Sequence, residues 1–236
     1  MFRQVICALD TGDVDEAISI TKRLSKHVGT FKIGHGLTLQ RGLGIVEDLK
    51  EAGAERIFLD LKFHDIPNSV ALAVREACRY GVWMMTLHIS GGPAMLEAAA
   101  MEANQCREDA RPLLIGVSVL TSLDEHTLQT DLGVNRSLEE HMVSLSRLAM
   151  DCELDGVVCS PNEVTAIRAA IGHGVIVTPG IRLAGGETHD QIRTGDPSST
   201  LKNGADYLVI GRALTSAPDP AAALEHFGFN KPVAHF

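Results

Sequence analysis

Short apolar runs recur along the chain, and each is followed by a stretch with the 3.6-residue spacing of an amphipathic helix. The runs cover residues 4–9, 30–34, 56–61, 83–88, 113–119, 156–159, 175–178 and 207–211. Most are nearly continuously apolar rather than alternating. That pattern fits strands packed on both faces, with helices outside and side chains inside. The helices carry their own start signals. Asp13 with Glu16 three residues on reads as a capping box, and Val14, Ala17, Ile18, Thr21, Leu24 and Val28 then follow one helical face. Ser137 and Glu140 form a second box, and Pro93 stands at a first helical position. Ser160, Pro161 and Glu163 predict a helix capped at Ser160. Gly53, Gly81 and Gly204 stand where helices should stop.

Eight strand–helix units in 236 residues give about 29 residues each, the economy of a compact (β/α)₈ TIM barrel spanning the chain as one domain. A doubly wound sheet needs fewer strands and a glycine-rich first turn. Here the first turn is Leu9-Asp10-Thr11-Gly12-Asp13, and Gly34-His35-Gly36 has Leu39 where a third glycine would stand.

Composition narrows the function. The chain is 45% hydrophobic, 22% charged and only 4% aromatic, so the core is aliphatic. A net charge of −9 argues against a broad nucleic-acid surface, and any anion site must be concentrated in a few residues. No apolar run approaches the ~18–20 residues of a membrane span. The five cysteines lack CxxC spacing and read as free thiols in a reducing compartment, and the N-terminal apolar segment is too short for a signal peptide. The expected location is cytoplasmic.

Candidate chemistry gathers at the predicted C-terminal strand ends, where barrels of this kind carry their sites. These ends hold Asp10, Lys32, Asp60 with Lys62, His88, Thr121, Ser160, Arg182 and Arg212. The segment FLDLKFHDIPNS, residues 58–69, is the most pointed. Burying charge costs several kcal/mol unless it is paired, yet an apolar strand here ends in Asp60, Lys62 and Asp65. Strand alternation puts residues 60 and 62 on one face, with Lys32 expected on the neighbouring strand. Carboxylates on either side keep Lys62 an ammonium ion, a proton donor. A Schiff-base lysine would need an uncharged amine, which the same carboxylates oppose. The loops after the seventh and eighth strands, with Arg182, Gly211 and Arg212, read as a phosphate site. His64 lies inside the charged motif, but alternation turns it away from Lys62, which suits a structural or solvated role. The ten histidines show no metal-binding spacing.

These motifs taken together resemble the orotidine 5′-phosphate decarboxylase family. The resemblance runs through ALD at 8–10, FKIG at 31–34, DLKFHDIPN at 60–68, LTS at 120–122, GIR at 180–182, DQIR at 190–193 and GADYLVIGR at 204–212. It implies cofactor-independent loss of CO₂ from orotidine 5′-monophosphate to give UMP, the last step of de novo pyrimidine synthesis, in a homodimer. Lys62 would protonate C6, with Asp60 near the substrate carboxylate in an array with Lys32 and Asp65. Asp65 would reach the partner subunit's site near the ribose. Asp10 and Lys32 would bind ribose hydroxyls, and Thr121 would hold the base and help close the site. Ser69 stands in the motif's substrate-binding stretch, where the family pattern has Thr. Arg182, Gln191, Gly211 and Arg212 would grip the phosphate. Two further departures are Asp196 before Pro197, which can still cap a helix, and the Gly34-His35-Gly36 turn. The D-x-K-x-x-D core also fits a related Mg²⁺-dependent lyase such as a hexulose-phosphate synthase, or a barrel that binds a nucleotide without catalysis.

Overall fold

The computed structural model describes residues 2–181 and 195–227. Eight parallel strands close into a barrel in sequence order: β1 Val5–Leu9, β2 Thr30–Ile33, β3 Arg56–Phe63, β4 Met84–His88, β5 Leu113–Val117, β6 Gly156–Val158, β7 Val175–Thr178 and β8 Tyr207–Ile210. β1 pairs with both β2 and β8, which completes the ring. Every predicted strand is present, and β3 runs two residues further than expected, to Phe63.

The helices wrap this ring. The first half carries α1 Val14–Leu24, α2 His35–Arg41, α3 Ile45–Glu51, α4 Pro67–Arg79 and α5 Pro93–Asn104. The second half carries α6 Glu125–Thr130, α7 Leu138–Asp151, α8 Val164–Ile171, α9 Pro197–Lys202, α10 Arg212–Thr215 and α11 Pro220–His226. Gly53, Gly81 and Gly204 all follow helix ends with positive φ. Beyond them Ala54, Val82 and Ala205 donate back to Leu49, Ala77 and Thr200, the six-to-one bond of a Schellman stop.

Two start signals act differently from expectation. Asp13 caps α1 by accepting from the Glu16 N–H, but the Glu16 carboxylate accepts from Thr11 Oγ1 instead of returning to Asp13. Thr11 Oγ1 in turn accepts from the Asp13 N–H, so a third residue completes the box. The helix predicted from Ser160 begins only at Val164. Ser160 and Glu163 are buried and their side chains bond each other, so neither serves the expected cap and residues 161–163 form a turn. The Ser137–Glu140 box forms in full.

The core has two layers. Ile6, Ala8, Phe58, Met84, Ile115, Val177 and Val209 pack together as the barrel interior. The larger cluster, with Leu9, Phe31, Ile57, Met85 and Leu114 among its strand residues, lies between strands and helices. Alternation along the strands separates the two sets.

The expectation of five free thiols is corrected. Cys78, in the last turn of α4, forms a disulfide with Cys106, just beyond α5, with Cα atoms 6.3 Å apart and a sequence separation of 28. Neighbouring helices of the outer ring bring the pair together, so no local spacing advertises it. Arg75 on α4 and Glu102 on α5 add a two-pronged ion pair at 2.7 and 2.9 Å. Cys7, Cys152 and Cys159 are buried and are not disulfide-bonded. The argument for a reducing compartment loses this support. Among the described residues, no helix is long and apolar enough to cross a membrane.

Candidate active site

The interior layer and the polar residues above it share one parity. Asp10 lies two residues beyond Ala8, Asp60 two beyond Phe58, Thr86 two beyond Met84 and Gly211 two beyond Val209. Lys32 pairs in register with Ala8 on one side and Phe58 on the other. Strands that point apolar side chains into the barrel therefore point their next inward position into its C-terminal mouth.

Four charges form a chain there. Lys32 Nζ lies 3.2 Å from Asp10 Oδ1 and 3.4 Å from Asp60 Oδ2. Lys62 Nζ lies 2.9 Å from Asp60 Oδ1. Signs alternate along the sequence Asp10, Lys32, Asp60, Lys62. The Asp60 side chain is 14% exposed and that of Lys32 11%, so the two inner members are held nearly out of water. Burial pushes the Asp60 carboxyl up, but Lys32, then Lys62, and hydrogen bonds from Lys62 and Thr86 outweigh it and hold it below the usual carboxylate range. Burial pushes the Lys32 ammonium down, and Asp60 and Asp10 more than reverse this, holding it above its usual range.

The expected contact between Asp60 and Lys62 is present, but simple strand alternation does not produce it. Leu59 pairs with Met85 and Phe63 with Leu87, so residues 60–62 face Thr86 alone. This bulge puts Lys62 at φ 50, a left-handed conformation that costs a non-glycine residue about 1–2 kcal/mol. Thr86 is fully buried, and its Oγ1 accepts from the Lys62 N–H and donates to Asp60 Oδ1, each at 2.9 Å. The sequence reading took His88 as the polar end of β4 and passed over Thr86, which the parity from Met84 could have found. His88 ends β4 beside His64, with ring centroids 5.4 Å apart. Burial, then His64 and Lys62, keep its imidazole below the usual range.

The remaining predicted residues are less tightly gathered. Asp65 does not join the array: its exposed carboxylate accepts from the Ile66 N–H at 2.6 Å, and it makes no ion pair among the described residues. The expected mutual pairing of all three motif charges therefore holds for Asp60 and Lys62 only. Ser69 lies in the first turn of α4, and Thr121 in the turn after β5. Gly211 follows β8, where an added Cβ would come within 3.2 Å of Asp10 Oδ2. Arg212 is exposed, and its guanidinium has no hydrogen-bond or ion-pair partner among the described residues. Arg182 and Gln191 lie outside the described residues. Asp196 caps α9 by accepting from the Ser199 N–H at 2.8 Å, as its position predicted.

A cavity of about 350 Å³ opens over the array, lined by Asp10, Lys32, Asp60, Lys62 and the Gly34–Gly36 turn. That turn has a packing role: a Cβ on Gly36 would meet the Thr11 carbonyl at 3.3 Å and the Gly12 Cα at 3.4 Å, so its small size lets α2 approach the loop after β1. The mouth thus offers two ammonium groups flanking one buried carboxylate beside a nucleotide-sized space. Such an array can stabilise negative charge developing on a bound molecule and then supply a proton.

A family model described as "Orotidine 5'-phosphate decarboxylase / HUMPS family" matches residues 3–227. Orotidine 5′-phosphate decarboxylase of Moorella thermoacetica is 47% identical over 227 residues, covering 93% of this chain and 88% of the relative. The protein of the same name from Chromobacterium violaceum is 45% identical, with 93% and 88% covered. Among solved structures, orotidine 5′-phosphate decarboxylase from Lactobacillus acidophilus superposes with a TM-score of 0.83 at 32% identity, covering 96% of this chain and 97% of that one.

Proposed function

The chain belongs to the orotidine 5′-phosphate decarboxylase / HUMPS family, and we propose that it converts orotidine 5′-monophosphate to UMP and CO₂, the last step of de novo pyrimidine synthesis, with no metal or organic cofactor. The observation that carries this reading is the alternating array, with Asp60 held between Lys32 at 3.4 Å and Lys62 at 2.9 Å at the barrel mouth.

The bond from C6 to the carboxylate carbon breaks, its electron pair stays on C6, and CO₂ leaves. No electron sink is conjugated to that carbon through a cofactor, so the fixed Lys62 ammonium must stabilise the developing charge. Lys62 then passes a proton to C6, completing UMP, and regains one from solvent. Asp60 holds Lys62 in place and faces the scissile carboxylate. Asp10 and Lys32 bind ribose hydroxyls. Ser69 and Thr121 contact the nucleotide, Thr121 on the base side.

Arg182, Gln191, Gly211 and Arg212 grip the phosphate, far from the bond that breaks. Phosphate binding energy can then order the array without touching the reacting carbon. The Arg212 guanidinium beside Gly211, without a partner among the described residues, supports this role. The active form is a homodimer in which Asp65 enters the partner subunit's site. Its exposure, next to an Ile66 that is 67% exposed, supports that placement.

The test is the pyrimidine ultraviolet absorbance on mixing with orotidine 5′-monophosphate in excess EDTA. The expected result is a steady fall in absorbance with UMP as product. Activity lost on chelation and restored by Mg²⁺ would favour a metal-dependent lyase. Tight binding with no spectral change would favour a nucleotide-binding barrel without catalysis.

A further inference from the structure

The bulge in β3 leaves a backbone donor that the strand ladder does not serve. The Lys62 N–H bonds instead to the Thr86 hydroxyl, the one β4 side chain opposite residues 60–62. The same hydroxyl spends its proton on Asp60 Oδ1. Asp60 Oδ1 also accepts from Lys62 Nζ. A closed circuit results: Lys62 N–H to Thr86 Oγ1, Thr86 O–H to Asp60 Oδ1, and Lys62 Nζ back to the same oxygen.

We propose that Thr86 is a positioning residue for the decarboxylation, its hydroxyl fixing at once the left-handed backbone of Lys62 and the carboxylate that aims the Lys62 ammonium. The inference rests on the function proposed above. Thr86 suits the task in three ways. Its hydroxyl can donate and accept together, and both capacities are used. Its branched Cβ restricts χ1, so the hydroxyl direction is set by the strand. It is fully buried, so water cannot readily take over either bond.

Thr86→Val keeps the shape but removes both bonds, and Thr86→Ser keeps both with a looser rotor. Steady-state kinetics on orotidine 5′-monophosphate, UMP affinity and crystal structures of both variants form the test. A misplaced catalytic group costs on the order of 100-fold, so T86V should lose about that much in kcat. KM and UMP affinity should stay within about threefold, since the hydroxyl faces the array rather than the nucleotide. T86S should recover to within about tenfold of the parent. In T86V the Lys62–Asp60 contact should lengthen, and in T86S it should persist. The proposal is overturned by a T86V kcat within about twofold of the parent. It is equally overturned if UMP affinity falls as far as kcat and T86S gives no rescue. Should T86V not fold, Thr86→Cys, a weak donor of similar size to Ser, replaces it; kcat higher in Ser than in Cys is expected, and equal values overturn the proposal. A parent enzyme that leaves orotidine 5′-monophosphate unchanged would refute the function instead. The Lys62–Asp60 geometry in the variant structures would then decide the role of Thr86 by itself.

Discussion

At the N-terminal ends of the strands, Asp155 accepts from the Leu114 N–H at 2.7 Å and from Arg111 at 3.0 Å. Two repeats along the ring, Asp206 accepts from the Ile176 N–H at 2.8 Å and from Arg168 at 2.7 Å. Each carboxylate there ties one arginine to the start of a strand, and the strand pairings run without a register shift, although Glu153 in the loop before β6 is also left-handed at φ 61. At the opposite mouth the charges are shared rather than tied off. Lys32 serves two carboxylates, and Asp60 serves two lysines and a threonine. The strand beneath bulges and Lys62 takes a left-handed backbone. A cavity opens above the shared charges. The contrast separates two uses of the same residue types. Paired charges that satisfy strand ends stabilise the barrel. A chain of charges with spare hydrogen-bonding capacity, held against backbone strain, is poised for a ligand.

Substitutions at the two ends should divide cleanly. The largest effect is expected for Lys62→Ala. In the proposed mechanism this removes the proton donor and the charge at C6 together, and should lower kcat by about 10⁴-fold or more, while UMP still binds. Arg212→Ala should come next. Losing the proposed charge-assisted bond to phosphate should cost about 10- to 100-fold in kcat/KM on orotidine 5′-monophosphate, and much less on a substrate lacking the phosphate. An unchanged kcat/KM would remove Arg212 from the phosphate site.

At the other end, Asp155→Ala strands Arg111 and the Leu114 N–H. It should lower stability by about 2 kcal/mol in a denaturant titration and leave kcat alone. Smallest is a pH effect on stability. Asp60 is held below its ordinary 3.8, so its contribution is complete above that value and is lost as pH falls through the lower folded value. Lys32 is held above its ordinary 10.5, so its contribution is complete below 10.5 and is lost as pH rises through the higher folded value. Unfolding midpoints of the parent and Asp60→Asn, followed downward from neutral pH, should therefore converge only below 3.8. A difference that vanishes near neutrality would contradict the pairing.

Much of this was legible in the residues. Eight apolar runs became eight strands, because strands buried on both faces leave an unmistakable continuous pattern. Asp10, Lys32, Asp60 and Lys62 were legible for the same reason: charge at the end of an apolar strand is costly unless it is used. What escaped depends on contacts between elements. The Cys78–Cys106 disulfide follows from helix neighbours in the ring. Ser160 and Glu163 looked like a helix cap but bond each other within a buried turn. The bulge was hidden because alternation alone also puts residues 60 and 62 on one face. Thr86 was hidden with it, since a lone threonine in a strand is ordinary until the strand opposite is known.

On the proposed function, the shared charges at the C-terminal mouth perform the chemistry and the tied charges at the other end do not. Lys62→Ala and Asp155→Ala, assayed side by side for loss of pyrimidine absorbance in excess EDTA, test it most directly. Parental turnover is expected for D155A, and for K62A a rate lower by about 10⁴-fold or more with UMP binding retained. Near-parental turnover by K62A, or an equal loss in a folded D155A, would contradict it.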